Sequence, residues 1–457
     1  MLLSKLKRAE KHLNALPAFP ICQEEINFIL TPNDFKQQIL THIAQAKRRI
    51  YLTALYWEQD EAGQEIMHAV YQAKQANPQL EVKIFVDWHR AQRGRIGESN
   101  GRSNADWYAE MRQQYALDEV MVYGVPVNTR EVFGVLHIKG FVFDDTILYS
   151  GASLNNVYLS QFERYRYDRY HLIHNPALAN SMVKFLNEYL LESKAVKPLD
   201  QVRPTMKSFR VAIRDFRKEL IFNGRYHLSS QLAQPNQLKI TPLFGLSRTS
   251  RFSNSNKLNK TIEALFTVVK NKLVICTPYF NFPRSLQQHL RTLLNDGKQV
   301  EIIVGDKTAN DFYIPPTQPF KLIGALPYLY EKNLRHFAQR FAHFIQNGQL
   351  IIRLWKDGEN SYHLKGIWVD DDYLLLTGNN LNPRAWRLDA ENGLLIHDPQ
   401  QQLQAQSQAE LAQIRTHTTL LAAADQLEKM ADYPAPVQKV LRRFSHIKAD
   451  HIVKMIL

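Results

Sequence analysis

Cysteine is scarce in this sequence. Its 457 residues include two, Cys22 and Cys276, far apart and with no second thiol near either, so neither a disulfide framework nor a thiolate metal site is implied. That usage fits a reducing, cytoplasmic compartment. Long apolar runs are missing as well. Nowhere do 18 or more apolar residues follow one another, which excludes a spanning helix and leaves only peripheral contact with a membrane. The opening stretch MLLSKLKRAEKHLNALPAFP has basic residues but neither the continuous apolar block nor the small-residue cleavage site of a secretory signal. It predicts an amphipathic helix in an N-terminal segment, 1–23. Metal-ligand arrangements such as HExxH or CxxC are also lacking, and His171 and His174 stand three apart with no acid in ligand spacing. Both histidines read as structural, and neither a metal nor another cofactor is expected.

Apolar residues and positive charge are plentiful. At 45% hydrophobic residues the chain is long enough for two cores, because single cores stop growing near roughly 250–300 residues. The formal charge of +13 favours partners that carry phosphates: nucleic acid, anionic lipid or a phosphorylated small substrate.

The chain contains an internal repeat. HIKGFVFDDTILYSG, from His137, recurs as HLKGIWVDDDYLLLTG from His363. Aligned without a gap, the two match at His137/His363, Lys139/Lys365, Gly140/Gly366, Asp144/Asp370, Asp145/Asp371 and Leu148/Leu374. Upstream, IYLTALYW (50–57) answers LVICTPYF (273–280), and VKIFVDW (82–88) answers VEIIVGD (300–306), all reading as buried strands. Downstream, DRYHLIHNP (168–176) answers ENGLLIHDP (391–399), which sets Asp168 opposite Glu391. Strands alternating with helical stretches predict the α/β class, with mixed sheets and helices on their faces. The expected domains are 24–200 and 237–430, joined by a helical connecting arm, 201–236, and followed by a tail, 431–457.

In a strand, residues i and i+2 point to one face. His137 therefore projects with Lys139, and His363 with Lys365, each pair offering a nucleophile or proton carrier beside an anion clamp. Two such halves around one phosphodiester would supply an in-line nucleophile, an acid for the leaving oxygen, and cations for the equatorial oxygens. Asp168 and Glu391 are the candidates for orienting the imidazoles.

The two units His-x-Lys-x4-Asp, each followed by Gly and Asn, resemble the paired HKD motifs of the phospholipase D superfamily. The resemblance implies two tandem phospholipase-D-like domains with the active site between them. It also implies metal-free transfer of a phosphoryl-linked group through a phosphohistidine, to an alcohol or to water. His137, Lys139, Asp144, His363, Lys365 and Asp370 form the catalytic set it implies. The motif endings, GASLNN and GNNLN, depart from the usual Gly-Ser-x-Asn; Asn155 and Asn380 are taken as phosphate-binding.

Other stretches, among them VDWHRAQRGRIG, YRYDRYHLI, GDKTANDFYIP and NNLNPRAWRLD, resemble the phosphatidylserine synthase branch of that superfamily in Gram-negative bacteria. The substrates implied are CDP-diacylglycerol and L-serine, with His137 attacking and His363 protonating CMP as it leaves. No obligate nucleic acid is implied. Arg90, Arg93 and Arg95, just past a strand's carboxyl end where α/β sheets bind ligands, are candidates for the donor's charges. Tyr56, Tyr167, Arg169 and Arg384 are weaker candidates that also fit packing roles. The tail carries Val440, Leu441, Phe444, Ile447 and Met455 near helical spacing with Lys439, Arg442, Arg443, Lys448 and Lys454, a pattern suited to the anionic inner face of the cytoplasmic membrane. Two other readings share the motif: a phospholipase or nuclease, and a non-catalytic nucleic-acid or anionic-lipid binder.

Overall fold

Each repeat folds into the same run of strands. A computed structural model describes residues 2–94, 101–228, 232–248 and 256–446. In the first half the strands lie side by side as Glu81–Asp87, Arg49–Thr53, Gly140–Phe143, Thr146–Ser150 and Tyr170–His174. In the second they lie as Gln299–Gly305, Lys272–Thr277, Gly366–Val369, Tyr373–Thr377 and Ala390–His397. The first two strands of each run are parallel and the rest antiparallel. Parallel neighbours require a crossover, which the helices Glu61–Ala76 and Arg284–Asn295 supply. The first is started by Asp60, whose carboxylate accepts from the Gly63 amide at 2.9 Å and satisfies a donor the helix leaves unpaired. It buries Ala62, Ile66, Met67 and Val70, the three-and-four spacing of a helix face on a sheet.

The motif aspartates shape the hairpin that follows each His-x-Lys. Asp144 has φ +51 and Asp370 φ +54. Asp144 accepts from the successive amides of Lys47, Arg48 and Arg49 at 2.9, 2.8 and 3.0 Å. Asp370 does the same for Lys270, Asn271 and Lys272. The gapless alignment fails at this turn. Phe143 pairs with Thr146, but Val369 with Tyr373, so the second turn is one residue longer and Leu148 corresponds to Leu375, not Leu374.

The halves exchange strands at their contact. Leu136 and His137 pair in parallel with Ala390 and Glu391 of the second half, while Ser361 and Tyr362 pair with Arg166 and Tyr167 of the first. Other segments also cross. The opening helix, Leu2–Asn14, places Ala9 and Leu13 in the second half's core. The arm's helix, Arg210–Asn223, packs down through Ile213, Phe216 and Leu220. From it Arg217 donates to the carbonyls of Val127, Leu388 and Ser247 at 3.4, 3.1 and 3.3 Å, strapping both halves together.

Part of the tail packs on the protein itself. In the helix Ala435–His446, Val437 and Leu441 are buried against Tyr328, Leu329 and Tyr433, and Val440 packs partly buried beside them. Lys439, Arg442 and Arg443 remain exposed. Ile447, Lys448, Lys454 and Met455, and the side chain of Phe444, lie outside the described residues.

Candidate active site

The strand exchange decides which acid meets which imidazole. Because Glu391 is the register partner of His137, its carboxylate reaches His137 Nδ1 at 2.9 Å. The His363 amide donates to the Tyr167 carbonyl at 2.8 Å, one residue before Asp168, and His363 Nδ1 stands 2.8 Å from Asp168 Oδ2. Each histidine is thus held by the acid of the other half. With Nδ1 engaged in this way, Nε2 is the atom presented for chemistry.

Burial dominates the electrostatics. Both imidazoles are 7% exposed and both motif lysines 1%. Burial, then Lys139 and Lys365, push His137 well below its ordinary pKa; burial and then Lys365 take His363 down to about 4. Lys139 is lowered to about 7 by burial and by Lys365, and Lys365 is lowered mainly by burial. The two acids differ. Burial and then Asp389 push Glu391 well above the carboxylate range, whereas Lys365 and the His363 hydrogen bond overcome burial and hold Asp168 below it. Burial of this kind disfavours charge on the histidines and opposes two neighbouring ammonium groups, and an anion between them would favour both charges.

Each lysine's backbone is clamped from across the contact. Asn392 accepts from the Lys139 amide and donates to the Lys139 carbonyl, both at 2.8 Å. Its counterpart Arg169 donates to the Lys365 carbonyl at 3.3 Å. The ammonium of Lys365 meets Asp168 at 3.3 Å and His363 Nε2 at 3.0 Å; that of Lys139 donates to the Ala152 carbonyl at 3.3 Å. The motif glycines make this packing fit. A Cβ at Gly378 would lie 3.0 Å from Lys139 Cγ, and one at Gly151 2.7 Å from Asp168 Oδ2.

Several expected site residues do other work. Asp144 and Asp370 stand at the far end of the hairpin, five residues or about 16 Å of strand from the motif lysines at ~3.3 Å per residue, and their oxygens are spent on the amides described above. Arg169 donates two hydrogen bonds to the Glu410 carboxylate, at 2.8 and 2.7 Å, and lies 4.1 Å over the Trp368 ring, so its guanidinium is spent on protein partners and it supports Lys365. Tyr167 is buried beside Trp355, ring centroids 5.9 Å apart. Asn155 caps a turn, accepting from the Tyr158 amide at 3.2 Å and donating to Glu58 at 2.9 Å. Its equivalent in the second half is Asn382, which accepts from the Ala385 amide at 2.9 Å, rather than Asn380. The side-chain oxygen of Asn380 is buried without a partner among the described residues.

Arg90, Arg93 and Arg384 gather around Glu131, and Arg384 also stands near enough to His137 to help depress its pKa. Arg90 Nε is 2.9 Å from Glu131 Oε1, Arg93 pairs with the same carboxylate, and Arg384 donates to the Glu131 carbonyl at 2.9 Å while pairing with Asp389 at 3.0 Å. Arg95 lies outside the described residues. The strand-ending Asp87 builds this corner, accepting from the His89, Arg90 and Leu136 amides at 2.9, 3.0 and 2.9 Å.

A second group, flanking His363, was not singled out from sequence. The Tyr158 hydroxyl is 3.0 Å from His363 Nδ1, and the Tyr279 ring is 6.3 Å from the imidazole, edge to face. Arg166 pairs with Asp311 at 2.9 Å and donates to Tyr56 at 3.4 Å. The one available signal was position: Arg166 stands two residues before Asp168, where the second half has Asp389, so the repeat reverses charge there. Among the described residues no group of three His, Cys, Asp or Glu side chains is placed to hold a metal ion.

The comparisons with known proteins agree with this geometry. A relative from Haemophilus influenzae, CDP-diacylglycerol–serine O-phosphatidyltransferase, is 61% identical over 460 residues and covers all of both chains. The Escherichia coli protein of that name is 51% identical over 459 residues, again along both full lengths. The crystal structure of phosphatidylserine synthase from Haemophilus influenzae matches with a TM-score of 0.95 at 60% identity, covering 99% of this chain and 100% of that one. The family described as cardiolipin synthase, PLD-like domain, matches twice, over 39–190 and 263–415, each match spanning one His-x-Lys strand and the acid that serves the other. The chain therefore belongs to the PLD-like family of the phospholipase D superfamily, as a tandem pair of its domains.

Proposed function

We propose that the chain transfers the phosphatidyl group of CDP-diacylglycerol to the hydroxyl of L-serine, releasing CMP. The observation that carries this reading is the full-length likeness, at 61% and 51% identity, to two enzymes named for that reaction. In the first step His137 Nε2, with Nδ1 held by Glu391, attacks the phosphorus bearing diacylglycerol. A phosphorus–nitrogen bond forms and the bond to the CMP oxygen breaks. Lys139 and Lys365 balance the charge on the equatorial oxygens, the electrostatic contribution that usually dominates such transfers. His363, its proton affinity raised by the bound pyrophosphate, gives a proton to departing CMP. In the second step neutral His363 takes the serine hydroxyl proton, the serine oxygen bonds to phosphorus, and His137 leaves.

The lipid donor requires contact with a bilayer. Among the described residues no helix is long and apolar enough to cross one, and the net charge of +13 favours an anionic surface, so the reading is of peripheral attachment to the inner face of the cytoplasmic membrane. Purified protein given CDP-diacylglycerol in mixed micelles should release CMP much faster when L-serine is added. Serine-independent release yielding only phosphatidic acid would make it a hydrolase.

A further inference from the structure

The cleft is lopsided about its two imidazoles. Beyond the motif residues, His137 is approached by the cation Arg384, which helps to depress its pKa. His363 is approached instead by a charge pair of both signs. Arg166 Nε lies 2.9 Å from Asp311 Oδ1, with side chains 15% and 10% exposed, and two tyrosines tie the pair to the imidazole. Tyr158 touches His363 at 3.0 Å and carries the Arg166 guanidinium 4.8 Å over its ring. Tyr279 faces His363 and donates to Asp311 Oδ2 at 2.9 Å.

This group stands where the duplication breaks down. The N-cap equivalence of Asn155 and Asn382 sets Tyr158 opposite Ala385, and the distance from the orienting acids sets Arg166 opposite Asp389. A largely buried ion pair is weak support for a fold, because desolvation offsets its attraction. It is well suited to a ligand that carries both charges on adjacent atoms. Among the described residues Arg166 Nη2 has no hydrogen-bond partner, while Nε also donates to Ser361 at 3.2 Å and Nη1 to Tyr56.

We propose that Arg166 and Asp311 form the acceptor subsite, Arg166 taking the α-carboxylate and Asp311 the α-ammonium of L-serine, so that the hydroxyl is delivered to His363. The inference rests on the transfer to serine proposed above. Entering between the two side chains, the zwitterion leaves every charge paired and the net charge of the cleft unchanged. An acceptor lacking either charge would leave one member of a buried pair alone, which is penalised far more than the pair gains.

The first measurement uses the unaltered full-length protein with CDP-diacylglycerol and three acceptors: L-serine, L-serine methyl ester and N-acetyl-L-serine. Each blocked acceptor should show kcat/KM lower by about 10- to 100-fold, the range for hydrogen bonds to charged groups. Equal use of all three would overturn the subsite. Absence of any serine-dependent CMP release would overturn the transfer reading itself, a separate result. The second measurement compares Asp311→Asn and Arg166→Lys in serine transfer and in serine-free exchange of labelled CMP into CDP-diacylglycerol. The KM for serine should rise by about 10-fold or more, with transfer falling far more than exchange. A proportional fall in transfer and exchange, or a kcat loss with unchanged serine KM, would assign the pair to positioning His363 and overturn the subsite.

Discussion

His137 and Glu391 are separated by 254 residues in sequence and by 2.9 Å in space. The reciprocal pair, His363 and Asp168, stands 195 residues and 2.8 Å apart. Neither half holds a complete unit: each supplies an imidazole to one unit and a carboxylate to the other. The short parallel pairings of Leu136–His137 with Ala390–Glu391 and of Ser361–Tyr362 with Arg166–Tyr167 bind assembly of the halves to assembly of the chemistry.

The orienting acids should be separable by step. Glu391→Gln preserves shape but removes the proton-accepting carboxyl group that orients His137, and by analogy with a triad aspartate the cost is about 10²- to 10⁴-fold in kcat with little change in KM. In serine-free CMP exchange, Glu391→Gln should be the slower variant, whereas Asp168→Asn should do more harm to the serine step. The reverse ranking would exchange the roles of the two histidines.

Trapping should identify the nucleophile. Enzyme quenched with CDP-diacylglycerol in the absence of serine is expected to carry the phosphatidyl group on the peptide containing His137. His363→Ala should form that species more slowly, because CMP loses its acid, and should then hold it when serine is added, because attack by serine loses its base. Label on the His363 peptide instead would invert the assignment.

Much of this was legible before any coordinates, for a physical reason. Residues i and i+2 on a strand share a face whatever surrounds them, so His137 with Lys139 and His363 with Lys365 could be read locally, and duplication said that the two faces meet. The crossing of the acids was not legible, because Asp168 and Glu391 sit in their own sheets by sequence and reach the other half only through strand exchange. Asp144 and Arg169 misled for a related reason. A carboxylate collecting three amides and an arginine locked to Glu410 look, in one dimension, like groups awaiting a substrate. Tyr158, Tyr279 and Asp311 come from separate loops and carry no spacing signal; Arg166, on the short strand Arg166–Tyr167, offered only its place two residues before Asp168. The first turns of the tail's basic amphipathic pattern, Val437 and Leu441, pack on the protein itself.

The motif aspartates should prove to be fold determinants. Asp144→Ala and Asp370→Ala each strip the acceptor from three successive amides, a loss of roughly 1–3 kcal/mol, while turnover of the folded fraction stays near wild type. Backbone hydrogen bonds hold Asp144 below the usual carboxylate range despite the opposing effect of burial. Its stabilisation is therefore present above the unfolded value near 4 and is lost as pH falls through the lower folded value. Melting temperatures of wild type and Asp144→Ala should converge as the buffer is taken from pH 7 towards pH 3. A constant gap would mean that the carboxylate's charge is not what stabilises the turn.

Lys139 should set an alkaline limit to donor capture. Burial and the neighbouring Lys365 bring its pKa down to about 7, and an ammonium group is charged only below its pKa. As pH rises through 7 the free enzyme loses the clamp that would meet the donor's pyrophosphate, so kcat/KM for CDP-diacylglycerol, which reports the free enzyme, should fall on that limb. The fall should be weaker in kcat, because a bound pyrophosphate restores the ammonium by opposing its loss of charge. His363, at about 4, is neutral throughout this window and contributes no competing limb in the free enzyme. Lys139→Arg separates charge from titration, since guanidinium stays protonated at every accessible pH. That variant should be slower at pH 6, for want of the ammonium's compact geometry, yet lose its alkaline limb when kcat/KM is followed from pH 6 to 9. An alkaline limb that persists unchanged in Lys139→Arg belongs to another group and removes Lys139 as the titrating clamp.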